Sequence, residues 1–279
     1  TAAAARKRGR VFPFLGTKGG CGTTTLSTNL AVTLAGRSRA VLLIDLHPWA
    51  GDISMLLNLK PAFGVADVAL NVHRLDRELL GGMLVRHESG LHVLPASESP
   101  DKATLVQPSH VTQILNFARG LFDYVVVSTG EITDPLTLAA VNQGDLVHLV
   151  SCLDLLSLRR AQWVLRKMAQ FGLSPDLLRL VINRYEKNPH ISLEEAERIL
   201  GLRVAWKVPA HPGTFQDALN EGVALVSRCR DDLSRCFEDY AGRLGAGETT
   251  RTTAPLRRKI LGVFSSRGVK PAAEGGAPV

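Results

Sequence analysis

Short apolar runs alternate with helical patterns along most of the 279-residue chain, and this alternation limits the fold more than any other feature. Runs rich in Val, Ile and Leu that are separated by helices indicate a mainly parallel sheet with both faces covered. The predicted strands are residues 11–16, 40–45, 91–95, 124–128, 146–150, 178–183 and 204–206. The predicted helices are residues 24–35, 108–119, 135–142, 156–171, 193–200 and 214–220, with a last helix at 230–243 that packs across the sheet. We therefore predict one doubly wound α/β domain whose ligand lies at the carboxyl ends of the strands.

Positive charge is concentrated at the two ends of the chain. The formal net charge is +7; residues 1–10 and 248–279 each carry +4, which leaves −1 for the rest. A broad basic face for nucleic acid is therefore not expected, and nucleic acid is an unlikely partner. The expected organisation is a basic arm at 1–10, a domain at 11–245 and a basic tail at 246–279.

Two interpretations of the tail stay open. Its composition of Gly, Thr, Ala and Pro is typical of a solvated segment. Within it, apolar residues recur at helical spacing beside basic ones over 255–266, which indicates a short amphipathic helix for a membrane surface or a partner groove.

Other features narrow the class and the compartment. No apolar stretch approaches the 18 or more residues of a spanning helix, and no signal-peptide core is present. The chain begins with Thr1 instead of Met, which indicates a trimmed chain and is compatible with an upstream domain removed near residues 1–10. Four cysteines without a C-x-x-C pair and scattered histidines predict no disulfide or zinc site, and a reducing cytoplasm fits best. His148, in an apolar strand, is expected to be a core residue with its polar atoms satisfied.

The strongest local motif is the glycine-rich segment 16–25, between the first predicted strand and the first predicted helix. Glycines allow a tight turn with the amides aimed inward, and the helix N-terminus adds partial positive charge, so phosphate is the natural ligand. A strand before such a loop and a helix after it are the context that a phosphate loop requires. The predicted nucleotide-binding residues are Lys18, Gly19, Gly20, Cys21, Gly22, Thr23, Thr24 and Thr25.

The loop resembles the deviant K-G-G-x-G-K-[ST] motif of the MinD/ParA ATPases, with Lys18 as the signature lysine. The resemblance implies a homodimer with ATP, or ADP, between the protomers and Lys18 reaching the partner's nucleotide. It further implies that Thr24 and Asp45 contact Mg²⁺. No catalytic residue is assigned, although Lys18 is the first choice if the protein is active.

Three residues depart from the family pattern. Thr23 replaces the loop lysine, His47 replaces the second carboxylate of D-x-D, and Ser128 replaces the aspartate that ends the fourth strand. Losing one charge-assisted contact costs about 1.5–3 kcal/mol, which binding can survive. Phosphoryl transfer depends on positioning and charge, so hydrolysis is expected to be weak or absent. The alternative is that His47 serves as a base near neutral pH.

Later segments resemble the CpaE/TadZ branch, the pilus-assembly proteins of Flp/Tad secretion systems. Asn183 and Arg184 resemble the strand end with which the MinD/ParA ATPases contact the purine edge, the alternative being a polar turn that caps a strand. Gly51 and Asp52 match a Gly-Asp pair after the second strand. The segments 191–197, 208–209 and 215–222 follow in the order of that branch.

Three functions compete. The first is a dimeric, ATP-binding or pseudo-ATPase localisation factor that recruits pilus components, including a secretion ATPase, at the inner membrane face or cell pole. The second is an active MinD/ParA-type ATPase that cycles between dimer and monomer. The third, a nucleic-acid binder, is motivated only by the basic ends, and the −1 body argues against it.

Overall fold

The computed structural model describes residues 8–47, 51–97, 99–228 and 231–246, all within one compact unit, Thr1–Thr249. The strands are β1 Arg10–Gly16, β2 Val41–Asp45, β3 Val85–Arg86, β4 His92–Leu94, β5 Tyr124–Ser128, β6 Val147–Ser151, β7 Leu178–Tyr185 and β8 Val204–Pro209. The helices are α1 Thr23–Gly36, α2 Ile53–Leu56, α3 Val65–Leu70, α4 Arg77–Met83, α5 Pro100–Ala103, α6 Pro108–Ala118, α7 Pro135–Asn142, α8 Leu155–Gln170, α9 Leu193–Leu200, α10 Pro212–Glu221, α11 Leu225–Arg228 and α12 Asp232–Gly245.

The strands form one eight-stranded sheet in the order β3-β4-β2-β5-β1-β6-β7-β8. All neighbouring pairs are parallel except β3 with β4. The chain thus winds outward from the central β1 in both directions, which confirms the predicted doubly wound α/β fold. Because the long strands are parallel, the loops that follow β1, β2, β5, β6 and β7 meet at one edge of the sheet.

Helices cover both faces of the sheet, as the nearly continuous apolar strands require. On one face α1, α10, α11 and α12 pack against side chains such as Phe12, Phe14 and Trp206. On the other, α3, α4 and α6 lie over β2, β4 and β5, while α8 and α9 lie over β6 and β7. None of the helices in the described part of the chain combines the length and apolarity of a membrane-spanning segment.

His148 is a core residue, as predicted, but only one of its two ring nitrogens is satisfied, because Nδ1 is buried without a hydrogen-bond partner among the described residues. The ring is fully buried in β6, stacks on Phe14 with 4.3 Å between centroids, and its Nε2 lies 2.8 Å from the Tyr240 hydroxyl of α12. Burial, followed by the charge of Arg179, lowers the pKa of His148 to about 3. The imidazole is therefore neutral at physiological pH and joins the sheet to the last helix.

The predicted strands and long helices are found within a few residues of their expected bounds. The last strand is longer than predicted and extends to Pro209. The segment between β2 and β4, for which no helix was predicted, contains α2, α3 and α4. The arm at 1–10 lies mostly outside the described residues, with Arg10 already in β1. The tail at 246–279, with its predicted helix at 255–266, also lies outside them except for Ala246.

Candidate functional site

The loop after β1 has the backbone geometry of an anion cradle. Gly22 caps α1 in the left-handed conformation, with φ of 98°, and a Cβ there would lie 2.2 Å from Asn183 Nδ2, so only glycine fits. Leu26 N–H donates to Gly22 O at 2.9 Å, the start of the intrahelical ladder. The amides of Thr23, Thr24 and Thr25 belong to the first turn, where backbone N–H groups have no intrahelical acceptor. These amides and the helix dipole favour a phosphate at this position.

Hydrogen bonds from neighbouring strands hold the loop. Thr17 N–H donates to Val150 O at 2.9 Å. Asn183 Nδ2 donates to Cys21 O at 2.8 Å, and an Arg184 guanidinium nitrogen donates to Gly20 O at 3.0 Å. Asn183 and Arg184 thus lie beside the loop as a purine contact would need, and each donates to a loop carbonyl oxygen. Their contact with a base stays a prediction.

Lys18 forms an ion pair within its own chain. Its Nζ lies 3.0 Å from Oδ2 of Asp154, the N-cap of α8. Burial pushes the pKa of Asp154 upward, but hydrogen bonds from Ser157 and Lys18 outweigh it and lower that pKa. Asp154 was not predicted as a site residue; an Asp placed before an amphipathic helix is the N-cap signal that could have identified it.

The threonines that follow Gly22 differ in their surroundings. Thr23 Oγ1 lies 3.4 Å from Cys21 Sγ, beside the loop backbone. Thr24 Oγ1 lies 3.5 Å from Oγ of Ser128, which is fully buried at the end of β5. The structure therefore places Thr24 and Ser128 together at the centre of the predicted site.

Asp45 and His47 form a second pair at the same edge. His47 Nδ1 lies 2.8 Å from Asp45 Oδ1, which also accepts the His47 backbone N–H at 3.1 Å. Asp45 is adjacent to Ser128 in the register of β2 with β5. Burial disfavours the charged form of His47, but the hydrogen bond and the charge of Asp45 outweigh it and raise the pKa of His47. When protonated, the imidazole neutralises part of the carboxylate charge that remains here.

The fit of a magnesium ion can be judged from these donors. Asp45 Oδ2 is buried and has no hydrogen-bond partner among the described residues, and a Cβ on Gly51 would lie 2.4 Å from it. This oxygen and the Thr24 hydroxyl are oxygen donors of the kind that Mg²⁺ takes, together with the phosphates of a nucleotide. Positions 47 and 128 supply no carboxylate. The residues thus fit the ion at two positions, while the carboxylates that the family pattern has at positions 47 and 128 are missing.

One further group was not expected from the sequence. His211, Asp231 and Asp232 place one ligand atom each within 4.8 Å of one another. His211 Nε2 pairs with Asp232 at 3.2 Å, and Asp231 caps α12 through the amides of Leu233 and Ser234. Asp231 is therefore engaged as a helix cap, and His211 and Asp232 are engaged with each other. All three lie far from the phosphate loop in sequence.

A parallel sheet whose central strand leads through a glycine loop into a helix defines the class: a nucleotide-binding α/β domain with a phosphate loop. Residues 13–221 match the family model CbiA, the CobQ/CobB/MinD/ParA nucleotide binding domain, and the chain belongs to this family.

Similarity to individual proteins extends over most of the chain. The septum site-determining protein MinD of Thermotoga maritima is 25% identical over 245 residues, which cover 85% of this chain and 88% of the relative. A ParA family ATPase from Chlorobium tepidum has a TM-score of 0.80 and 26% identity, over 84% of this chain and 98% of that one. MinD in a MinC:MinD cell division complex of Aquifex aeolicus has a TM-score of 0.72 and 24% identity, over 89% of this chain and 98% of that one.

Proposed function

We propose that this protein is a homodimeric nucleotide-binding scaffold in which hydrolysis is weak or absent. One observation carries the proposal. The backbone cradle at residues 16–25 is complete, whereas the positions that would add carboxylates hold His47 and Ser128. Binding of phosphate relies mainly on the amides and the helix dipole, but its transfer relies on charge placed around the reacting group. Such a site retains its ligand and loses turnover.

The ligand of this site is ATP, or ADP after release of phosphate. Its phosphates lie on the amides of the loop, and Asn183 and Arg184 are placed beside that loop for the purine. Thr24 and Asp45 would hold Mg²⁺, which when bound neutralises phosphate charge. The ion pair between Asp45 and His47 weakens the charge available for that purpose.

Dimer formation involves Lys18. The family resemblance gives this lysine a role on the partner's nucleotide, which requires it to leave Asp154. The pair is partly exposed, with 28% and 43% of the two side chains accessible, so releasing it costs little. Nucleotide binding can therefore control whether Lys18 stays on its own chain or crosses to the second copy.

The cellular role that we propose is localisation in Flp/Tad pilus assembly, in the manner of the CpaE/TadZ branch. Its support is the order of segments along the chain, including Gly51 and Asp52 after β2 and Thr23 in the loop. The nucleotide-bound dimer would recruit a secretion ATPase to the inner membrane face or cell pole. A partner protein on this fold has a precedent in the complex of Aquifex aeolicus MinD with MinC.

A second candidate is an active MinD/ParA-type ATPase that cycles between dimer and monomer. The observation that favours it is that Lys18, Thr24 and Asp45 are all present. Thr24 and Asp45 both lie next to Ser128, at the carboxyl end of β5. The two candidates share nucleotide binding and differ in turnover.

The first experiment is titration calorimetry of Mg-ATP against the full chain, with Lys18→Ala as the paired variant and sedimentation velocity on the same samples. The proposed scaffold binds ATP in the micromolar range, dimerises with ATP, and loses dimerisation in the variant. No heat at millimolar ATP would exclude a nucleotide-operated scaffold. Phosphate release above the buffer rate that Lys18→Ala abolishes would favour the active ATPase.

The pilus role is tested separately, with the purified full chain and the secretion ATPase of its own cell. ATP-dependent co-elution of the two proteins, reduced in Lys18→Ala, is the expected result. Dimerisation with ATP but no association with that ATPase would support the nucleotide-binding scaffold and contradict its role in pilus assembly.

A further inference from the structure

Within the domain between the two basic ends of the chain, positive charge and exposed apolar surface are concentrated on one helix, α8. Residues 155–175 include four basic side chains and no acidic one, although residues 11–247 as a whole carry −1. Of the ten exposed large apolar side chains in the described part of the chain, Leu155, Leu156, Trp163 and Phe171 belong to α8 or directly follow it. Both properties depart from the rest of the domain in the same place.

These residues lie along one side of the helix. Leu156, Arg160, Trp163 and Lys167 follow one another at spacings of four, three and four residues, which places them in one row. The opposite side is buried over β6 and β7 and consists of Ser157, Leu158, Ala161, Val164 and Met168. We call the exposed side, with Arg159 and Arg166 at its margin, the α8 outer face.

Basic and apolar side chains also lie next to each other around the α8 outer face. Lys167 Nζ lies 5.9 Å from the centroid of the Trp163 ring, so the ammonium group and the indole occupy the same area. Gln162 Nε2 donates to Ile199 O of α9 at 3.2 Å, and the Ile199 side chain is itself exposed. The neighbouring helix thus adds an apolar side chain at this contact.

We propose that the α8 outer face binds an anionic lipid surface. Arg and Lys reach headgroup phosphates with their charged ends while their aliphatic stems lie on apolar surface. Indole rings and exposed Leu side chains bury their apolar atoms at the boundary of headgroups and acyl chains. Nucleic acid would pair with the same guanidinium groups but would leave Leu155, Leu156 and Phe171 in water. The lipid is therefore the partner that satisfies both kinds of side chain.

The proposal does not depend on the function of the phosphate loop or on the basic tail. α8 begins beside the loop, at the Asp154 cap. Its buried side packs over β6 and β7, and the outer face is the side opposite to that contact. Lipid binding by α8 can therefore be measured without nucleotide, and its failure would leave nucleotide binding untouched.

The test is sedimentation of the full chain with phosphatidylcholine vesicles, with and without phosphatidylglycerol, at low salt. The main variant is R159E/R160E, and the matched control is R74E/R77E, which makes the same change in charge at exposed positions near α4. A third variant, R257E/R258E/K259E, changes the tail. Emission of Trp163 provides a second readout, with Trp163→Phe as its control.

We expect binding to vesicles that contain phosphatidylglycerol and a blue shift of tryptophan emission that Trp163→Phe removes. Since each basic residue near an anionic surface contributes about fivefold, R159E/R160E should weaken partition at least about thirtyfold. R74E/R77E should leave it within about threefold of the unchanged chain, because general net charge is then the only difference.

Three results would overturn the proposal. One is the absence of sedimentation with phosphatidylglycerol vesicles. Another is binding that the tail variant abolishes while R159E/R160E binds like the unchanged chain. The last is binding of duplex DNA that requires Arg159 and Arg160 without any binding of vesicles, which would assign the α8 outer face to nucleic acid. Circular dichroism of each variant excludes a loss of fold as the cause.

Discussion

At the scale of single residues, two side chains of the site are each bound to a partner within the same chain. Lys18 is paired with Asp154, and His47 with Asp45. Each pair removes from the phosphate loop a charge that the family pattern would direct at a nucleotide or its ion. The two pairs differ in burial: Asp45 is inaccessible, whereas Asp154 is partly exposed. We therefore expect the Lys18 pair to exchange partners and the His47 pair to persist.

Asp154→Asn tests the exchange of Lys18. Asn is as good an N-cap as Asp, so α8 keeps its cap while the ion pair is lost. An exposed pair contributes about 0.2–1 kcal/mol, so freeing Lys18 should tighten ATP-dependent dimerisation by a factor of about 1.4 to 5. Sedimentation velocity across a range of protein concentrations measures this. A weaker dimer in Asp154→Asn, with α8 intact by circular dichroism, would show that Asp154 does not compete for Lys18.

Restoring the missing carboxylates tests the explanation of weak hydrolysis. His47→Asp with Ser128→Asp returns to the ends of β2 and β5 the carboxylates that the family pattern uses to hold Mg²⁺ and the attacking water, and phosphoryl transfer depends mainly on such positioning. We expect phosphate release to rise at least about tenfold. His47→Asn with Ser128→Asn is the neutral control of similar size. A folded aspartate variant that is no faster than the asparagine variant would place the defect elsewhere, with Thr23 as the first choice.

At the scale of elements, the last helix is held to the sheet by a polar contact inside an aromatic cluster. His148 of β6 bonds to Tyr240 of α12, which also stacks on Trp206 of β8 with 4.4 Å between ring centroids. Phe237 meets the Trp206 ring edge to face at 4.9 Å. The hydrogen bond joins two buried polar atoms, Nε2 of His148 and the Tyr240 hydroxyl, and the rings contribute the apolar area.

This contact predicts a dependence of stability on pH. The pKa of His148 is lowered to about 3 in the fold, from an ordinary value of 6.5, so the unfolded chain takes up a proton that the folded one does not. Stability is therefore complete above pH 6.5 and falls as the pH drops below it, by up to about 1.4 kcal/mol per pH unit. Urea unfolding at pH 7.5 and 5.5 measures the loss.

The control is the double variant His148→Phe/Tyr240→Phe, which removes both polar atoms together. Other histidines contribute equally to both proteins, so the difference between them isolates His148. We expect the unchanged chain to lose about 1.4 kcal/mol more than the double variant between the two pH values. An equal loss in both proteins would mean that His148 does not resist protonation in the fold.

The elements that the sequence did not predict are short. α2 has 4 residues, α3 has 6 and β3 has 2. Helices of this length are not stable alone and form because Ile53, Val65 and Val68 are buried by tertiary contacts. Long helices such as α1 and α8 repeat their apolar positions over several turns, which the sequence displays directly.

At the scale of the whole molecule, the sheet determines which loops meet. The parallel strands β1, β2, β5, β6 and β7 end at one edge, so residues as distant in sequence as Lys18 and Asp154 come within 3.0 Å. A ligand at this edge contacts several of these loops together. Binding should therefore stabilise the entire domain instead of one element.

Thermal unfolding with and without ATP tests this coupling. At an ATP concentration a hundredfold above the dissociation constant, binding to the folded state alone adds about 2.7 kcal/mol. For a domain of this size that corresponds to a rise in Tm of about 5–10 °C. We expect one cooperative transition that moves as a whole. Two transitions of which only one responds to ATP would show that the ligand edge unfolds separately from the rest.

The sequence by itself determined the class of fold, the phosphate loop and the residues that depart from the family pattern, because these follow from local periodicity and from spacing within a few residues. Tertiary structure decided which groups contact the side chains of Lys18, Asp45 and Asn183. It also showed where the basic and apolar residues of α8 lie. The contacts of Lys18 with Asp154 and of Asn183 with Cys21 join residues more than a hundred positions apart. No local pattern encodes such distances, since they depend on strand order and on the common edge that a parallel sheet creates.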